Sequence, residues 1–141
     1  MRLNRDSEKI SKEMSWYKLN DIKISKNFNL KEFECKDGSH QVVVDSELVH
    51  KLQKLRDELN NAIIINSAYR NESHNKAVGG SPNSQHLLGK AVDISLHNQD
   101  VEAQSIANIA RDIGFNGIGI YDTFIHLDVR DGKFASWNNK K

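Results

Sequence analysis

Two short patterns in the second half of the chain hold residue types that can do chemistry. His86 stands seven residues before Asp93, and His126 stands two residues before Asp128. Two imidazoles and one carboxylate form a ligand set of catalytic zinc, which keeps a fourth position open for water or substrate. A zinc held this way lowers the pKa of its water to about 7 and yields a nucleophile at neutral pH. A structural zinc site is instead closed, usually by cysteines, and the single cysteine, Cys35, cannot close one. Spacing alone leaves a second reading open, because six histidines among 141 residues will include some that lie near acids by chance. His40, His50, His74 and His97 read as surface or loop residues, and His50 falls off the apolar stripe of its helix.

The elements that would position these groups are two strands and the loop before them. Side chains alternate faces along a strand. In Ala91–Leu96, Val92, Ile94 and Leu96 share one face and Asp93 takes the other. In Phe124–Arg130, Ile125, Leu127 and Val129 make an apolar face, while His126, Asp128 and Arg130 line up opposite. Two strands thus bury an aliphatic face and present acid, imidazole and guanidinium on the other. That other face is either solvent or the floor of an active site. His86 lies at the edge of the glycine-containing loop that feeds the first of these strands.

Around them, Asn29 before Leu30-Lys31-Glu32-Phe33 reads as the cap of a short helix, and Asp45 as the cap of a helix over 45–60. Leu48, Val49, Leu52, Leu55 and Leu59 give that longer helix one apolar stripe. Ala62 to Ile65 reads as a buried strand. Residues 66–90 form a long polar stretch, partly helical, of a length that compact domains keep only for a use. Asp100 is expected to cap a helix carrying Val101, Ile106, Ile109, Ala110 and Ile113, with Gly114 ending it. Gly117–Tyr121 and Phe124–Arg130 read as a hairpin. The order gives an α+β fold, a small and largely antiparallel sheet with helices packed on it. Residues 1–26 read as a polar N-terminal segment and 27–141 as the folded domain.

Composition narrows the partners. Lys+Arg 20 against Asp+Glu 19 leaves a net charge of +1, with no basic stripe, so neither nucleic acid nor an acidic membrane surface is indicated. No apolar run approaches the ~20 residues of a membrane span. The opening MRLNRDSEKISKEMSWYK lacks the apolar stretch of about 7–15 residues of a secretory signal, so cytoplasmic synthesis is expected. Cys35 reads as a small buried hydrophobe. A monomer is expected.

The residues around the two patterns carry a resemblance. Ser67-Ala68-Tyr69-Arg70, Asn75 with Val78-Gly79-Gly80, and Ser84-Gln85-His86-Leu87-Leu88-Gly89-Lys90-Ala91-Val92-Asp93-Ile94 are similar to the zinc D-Ala-D-Ala carboxypeptidase family of peptidoglycan peptidases. Gly117-Ile118-Gly119-Ile120-Tyr121, Phe124-Ile125-His126-Leu127-Asp128-Val129-Arg130 and Phe28-Asn29-Leu30-Lys31-Glu32-Phe33 with Cys35 extend the likeness over roughly residues 27–131. The resemblance implies a hedgehog-like zinc fold with ligands His86, Asp93 and His126, zinc as cofactor and a peptidoglycan stem peptide as substrate. It also implies that Arg70 grips a substrate carboxylate or carbonyl, since a guanidinium pairs with such groups in bidentate fashion. A structural salt bridge is the other reading of Arg70. Ser84 and Gln85 are expected to shape the substrate cleft, or else to serve as turn residues.

Several relatives place a catalytic acid three residues before the last histidine ligand, where this chain has Thr123. A hydroxyl is too weak a base for water activation. Asp128 is therefore expected to be the general base, with Asp122 in the hairpin turn as second choice and an orienting role for Asp128 as the third reading. The small size and the lack of a signal sequence resemble phage and prophage lysis enzymes, and on that ground an endopeptidase is expected, cutting the L-Ala–D-Glu or a similar bond, made in the cytoplasm and reaching the wall after release. A D-Ala-D-Ala carboxypeptidase and a non-catalytic wall-binding module with structural zinc are the alternatives.

Overall fold

Leu48, Val49, Leu52 and Leu55 recur at helical spacing, and in the computed structural model, which describes residues 19–141, they are the buried stripe of helix α1 (Ser46–Leu59). The Asp45 side chain accepts from the Glu47 N–H at 2.8 Å and caps it. Asn29 opens the 3-10 helix Leu30–Phe33 through a reciprocal capping box. Its side chain takes the Lys31 N–H, and Glu32 takes the N–H of Asn29.

The five strands are β1 (Ile65–Ser67), β2 (Ala91–Ser95), β3 (Gly117–Ile120), β4 (Phe124–Asp128) and β5 (Ala135–Asn138). They form one sheet in the order β1-β2-β4-β3-β5, antiparallel except that β3 and β5 run parallel. Val92, Ile94, Ile118, Ile120, Ile125 and Leu127, each at most 5% exposed, join the leucines of α1 in one core. Helix α3 (Ala103–Ile113) packs against α1 and against β3 and β4, adding Ile106 and Ala110 to that core. Burying a side chain of this size contributes about 1.5–3 kcal/mol, so the apolar face fixes how the sheet lies on its helices. This is the expected α+β arrangement. No helix among the described residues is long and apolar enough to cross a membrane.

The sheet's other face is set by register. Ser67, Asp93, His126, Gly119 and Trp137 are successive Cα partners across the five strands. Residues 66–90, with the short helix α2 (Glu72–Ala77) and the 3-10 helix Gln85–Leu88, close over part of this row. For that reason every residue of β2 is buried, on both faces.

Three sequence expectations change. The strand expected over Ala62–Ile65 lies at Ile65–Ser67, because pairing with β2 starts only at the Ile64 carbonyl, which accepts from the Ser95 N–H at 2.9 Å. Ile63 is buried ahead of it and Ile64 is 50% exposed. The helix expected from Asp100 starts at Ala103 after Glu102, with no side-chain cap. Asn98 and Gln99 instead donate to the Ala62 carbonyl at 2.7 and 2.8 Å, which holds that stretch as a loop against the chain before β1. Strand β5 was not expected at all. Cys35 is buried, and burial pushes its thiol up. The expectation for residues 1–18 of the N-terminal segment lies outside the described residues. Asn20, just after them, is buried and donates to Glu34 and to the His40 carbonyl.

Gly119 is where the register row is tightest. A Cβ there would lie 2.3 Å from the Trp137 ring. Gly119→Ala should cost about 1–3 kcal/mol in urea unfolding, as overpacking does, and almost nothing in a Trp137→Ala background. Equal costs in the two backgrounds would show that the ring does not meet this strand.

Candidate metal centre

Each of the three ligands expected from the sequence is held by a different element. Ser84 caps the 3-10 helix Gln85–Leu88, its hydroxyl accepting the His86 N–H at 3.2 Å. The Arg70 N–H then donates to the His86 carbonyl at 3.1 Å and ties this helix to the chain after β1. Asp93 and His126 are Cα partners in the antiparallel pair of β2 and β4, so their side chains leave the sheet side by side. The three are 3%, 7% and 9% exposed. His86 Nε2 lies 3.2 Å from Asp93 Oδ1, and His126 Nδ1 lies 3.0 Å from the same oxygen. One ligand atom from each residue falls within 4.8 Å of the others, a spacing that a metal ion can bridge.

The outward nitrogens decide what the inward ones can do. His86 Nδ1 sits 2.6 Å from the Ala68 carbonyl oxygen, which can only accept, so Nδ1 carries the proton. His126 Nε2 sits 2.7 Å from Asp128 Oδ2 and donates to it in the same way. A neutral imidazole protonated at the outer nitrogen turns a lone pair inward. Two such lone pairs would then face the Asp93 carboxylate at hydrogen-bond distance. That contact is repulsive unless each ring takes a second proton or a cation lies among the three groups. A divalent ion satisfies all of them at once, and the N, N, O donor set with outer-nitrogen partners fits zinc. Without metal, burial alone would raise the Asp93 carboxyl, but hydrogen bonds from His126 and His86 hold it well below the usual carboxylate range. Burial works against charge on His126, yet its bonds to Asp128 and Asp93 raise its pKa.

Asp128 lies elsewhere than a cleft-facing base would. It is 0% exposed and both oxygens are engaged. Arg130 donates through Nε to Oδ1 at 2.9 Å and through Nη2 to Oδ2 at 2.7 Å, and its backbone N–H adds a bond to Oδ1 at 3.0 Å. Burial alone would raise this carboxyl too, but bonds from His126 and Arg130 hold it low. Gly117, its Cα partner, leaves the space it fills, since a Cβ there would sit 2.2 Å from Oδ2. Asp122 is exposed in the hairpin turn, accepts the Lys141 N–H at 3.1 Å and does not line the cleft.

The three ligands face a cleft of ≈ 610 Å³ that Ser84, Gln85 and Arg70 also line. Arg70 makes the salt bridge that was its second reading: Nη2 lies 3.3 Å from Asp93 Oδ2, while Nε and Nη1 donate to Ser67 and Asn75. Three of its five N–H donors are thus used within the protein. Sequence reasoning missed Trp137, which also lines the cleft from β5. It treated Asn75 only as part of a motif, though Asn75 is buried and links Arg70 to the Ser81 carbonyl.

Residues 26–128 match the family Peptidase M15. The chain belongs to the peptidase M15 family. Among curated proteins, the zinc D-Ala-D-Ala carboxypeptidase of Streptomyces albus G is 33% identical over 92 residues, which cover 61% of this chain and 35% of that protein. The chain therefore spans about a third of the length of the curated relative it matches. Within the M15 family span lie Arg70, His86, Asp93, His126 and Asp128, so the metal centre belongs to the part of the chain that carries the match.

Metal analysis tests the centre directly. The purified M15 chain should bind about one zinc, and His86→Ala, Asp93→Ala and His126→Ala should each lose it. Full zinc content in all three variants would remove these residues from the site.

Proposed function

We propose that the chain is a zinc-dependent endopeptidase that hydrolyses an amide bond in peptidoglycan stem peptides, the L-Ala–D-Glu or a similar bond. The observation that carries the reading is the buried His86, Asp93 and His126 cluster at the floor of an open cleft, with the outer nitrogen of each ring already bonded to an acceptor. When bound, zinc supplies Lewis acidity, polarising a carbonyl and easing the deprotonation of water.

The chain's own groups do the rest. Ala68 O and Asp128 Oδ2 hold the outer protons of the two rings, so that both rings turn a lone pair inward. Arg70 keeps Asp93 in place through Oδ2 and has two N–H donors left for a substrate carbonyl or carboxylate. Ser84 and Gln85 form part of the wall along which a peptide would lie. Asp128, enclosed by Arg130 and His126, acts as the group that orients His126 rather than as the proton acceptor for water. A second reading, carboxypeptidase action on a terminal D-Ala-D-Ala bond, is favoured by the activity named for the Streptomyces albus G relative.

Digestion of purified peptidoglycan fragments by the zinc-loaded chain, followed by mass spectrometry, separates these readings. New amino termini within the stem are expected. Loss of a single terminal D-Ala would establish the carboxypeptidase reading, and intact amide bonds would leave only a wall-binding module.

Asp128→Asn distinguishes orientation from base catalysis. The orienting role predicts a 10–100-fold fall in zinc affinity, as for other partners of metal-bound histidines. Unchanged zinc affinity with turnover lowered by roughly 10²–10⁴ would instead make Asp128 the general base.

A further inference from the structure

The two walls of the cleft differ in chemistry. One is largely polar and includes Ser81, Asn83, Ser84, Gln85 and the Arg70 guanidinium. The other is aromatic. Tyr121 and Phe124 stack with ring centroids 4.4 Å apart and planes 8° apart. Trp137 Nε1 donates to the Tyr121 hydroxyl at 2.9 Å, and its ring centre lies 5.3 Å from that of His126. Trp137 comes from β5, beyond the residues 26–128 that match the family. The half-buried ring has its one polar atom already satisfied inside the protein. What it offers the cleft is π surface. Beside it stands Arg130, 5.3 Å from the ring centre. Asp128 engages Arg130 through Nε and Nη2, and further N–H donors of that guanidinium remain.

A flat aromatic surface with hydrogen-bond donors at its edge matches a pyranose, which has an apolar C–H face and a rim of hydroxyl and amide oxygens. A stem peptide offers carboxylates, which suit the polar wall, and small methyl groups, which do not need a tryptophan. The sugar is the part of peptidoglycan that does. We propose that Trp137 is the platform of a sugar subsite that binds the N-acetylmuramic acid from which the stem peptide hangs. This rests on the peptidase reading above and names its substrate more closely. An extended chain advances about 3.3–3.6 Å per residue. With the sugar on Trp137, a scissile bond at the metal centre lies within one or two residues of the sugar. The first bond of the stem meets that limit. A terminal D-Ala-D-Ala bond follows the fourth residue, roughly 10–11 Å farther out than the L-Ala–D-Glu bond, and does not.

The test uses two uncleavable ligands of the zinc-loaded full chain, N-acetylmuramyl-L-alanine and N-acetyl-L-alanine, titrated by chemical-shift changes in ¹⁵N NMR. Wild type should bind the sugar-bearing ligand about tenfold more tightly, a preference of the size an aromatic contact supplies. Trp137→Leu should reduce the preference to near unity while leaving zinc content and the affinity for N-acetyl-L-alanine unchanged. Trp137→Phe, which keeps a ring, should retain part of it and guards against a Leu variant that fails to fold. Equal affinities in wild type, or a full preference surviving in both variants, overturns the subsite. The two proposals fail separately. Cleavage of stem peptides at the same rate with and without the sugar keeps the peptidase and removes the subsite. A Trp137-dependent preference for the muramyl ligand in a chain that cuts no peptidoglycan amide keeps the subsite and removes the peptidase.

Discussion

Asp93 Oδ1 lies 3.2 Å from His86 Nε2 and 3.0 Å from His126 Nδ1, while Oδ2 lies 3.3 Å from the Arg70 guanidinium. A carboxylate with 7% of its surface exposed costs several kcal/mol as an unpaired charge, so its partners are part of what lets the chain fold as it does. They arrive from three places: the 3-10 helix before β2, the neighbouring strand β4, and the chain just after β1. The long stretch of residues 66–90 has to fold back over the sheet to deliver two of them. The Arg70 N–H bond to the His86 carbonyl, at 3.1 Å, fastens the two deliveries to each other. The loop is ordered because the sheet presents a charge that it must meet.

A second layer governs the rings. An imidazole can offer either nitrogen, and only the acceptor at the far side decides which. For His86 that acceptor is a backbone carbonyl, Ala68 O, which no side-chain substitution removes. For His126 it is Asp128, itself gripped by Arg130. Asp128 fits only because Gly117 has no side chain. The orientation of one ligand thus depends, through contacts of 2.7 Å on either side of Asp128 Oδ2, on a residue without any chemistry of its own.

Asp93 and His126 were legible as one face of the sheet because two periodicities coincide there, whereas His86, on the 3-10 helix, was read from its spacing and the family resemblance. Val92, Ile94, Ile125 and Leu127 fix one face by hydrophobicity, and alternation then forces Asp93, His126 and Asp128 to the other. Helix α1 was legible for the same reason, its stripe repeating over several turns. The start of α3 was misread because Asp100 has the chemistry of a cap, yet the side chains of Asn98 and Gln99 spend their bonds on Ala62 instead. The enclosure of Asp128 was not legible either. Its position on the cleft-side face was correct, but whether a carboxylate there meets water or is enclosed depends on Arg130 folding back over it. Strand β5 gave no signal: Ala135–Asn138 has four residues, borders the sheet and alternates between half-buried and exposed positions.

The division between what was legible and what was not follows a physical line. A metal centre needs ligands fixed to within a fraction of an ångström. Asp93 and His126 stand on paired strands anchored by a buried apolar face, and His86 stands on the 3-10 helix that the Arg70 N–H ties to the chain after β1. All of them fall inside the span 26–128 shared with the M15 family. The groups that would meet a substrate stand on a loop and on a peripheral strand. Arg130 and Trp137 lie past the end of that span, and the metal ligands do not depend on Trp137 for any hydrogen bond. The part of the wall that Trp137 supplies can therefore change without removing a hydrogen bond from a ligand. In this chain the aromatic wall spans that boundary, with Tyr121 and Phe124 inside the matched residues and Trp137 beyond them, and the Trp137 ring lies against His126.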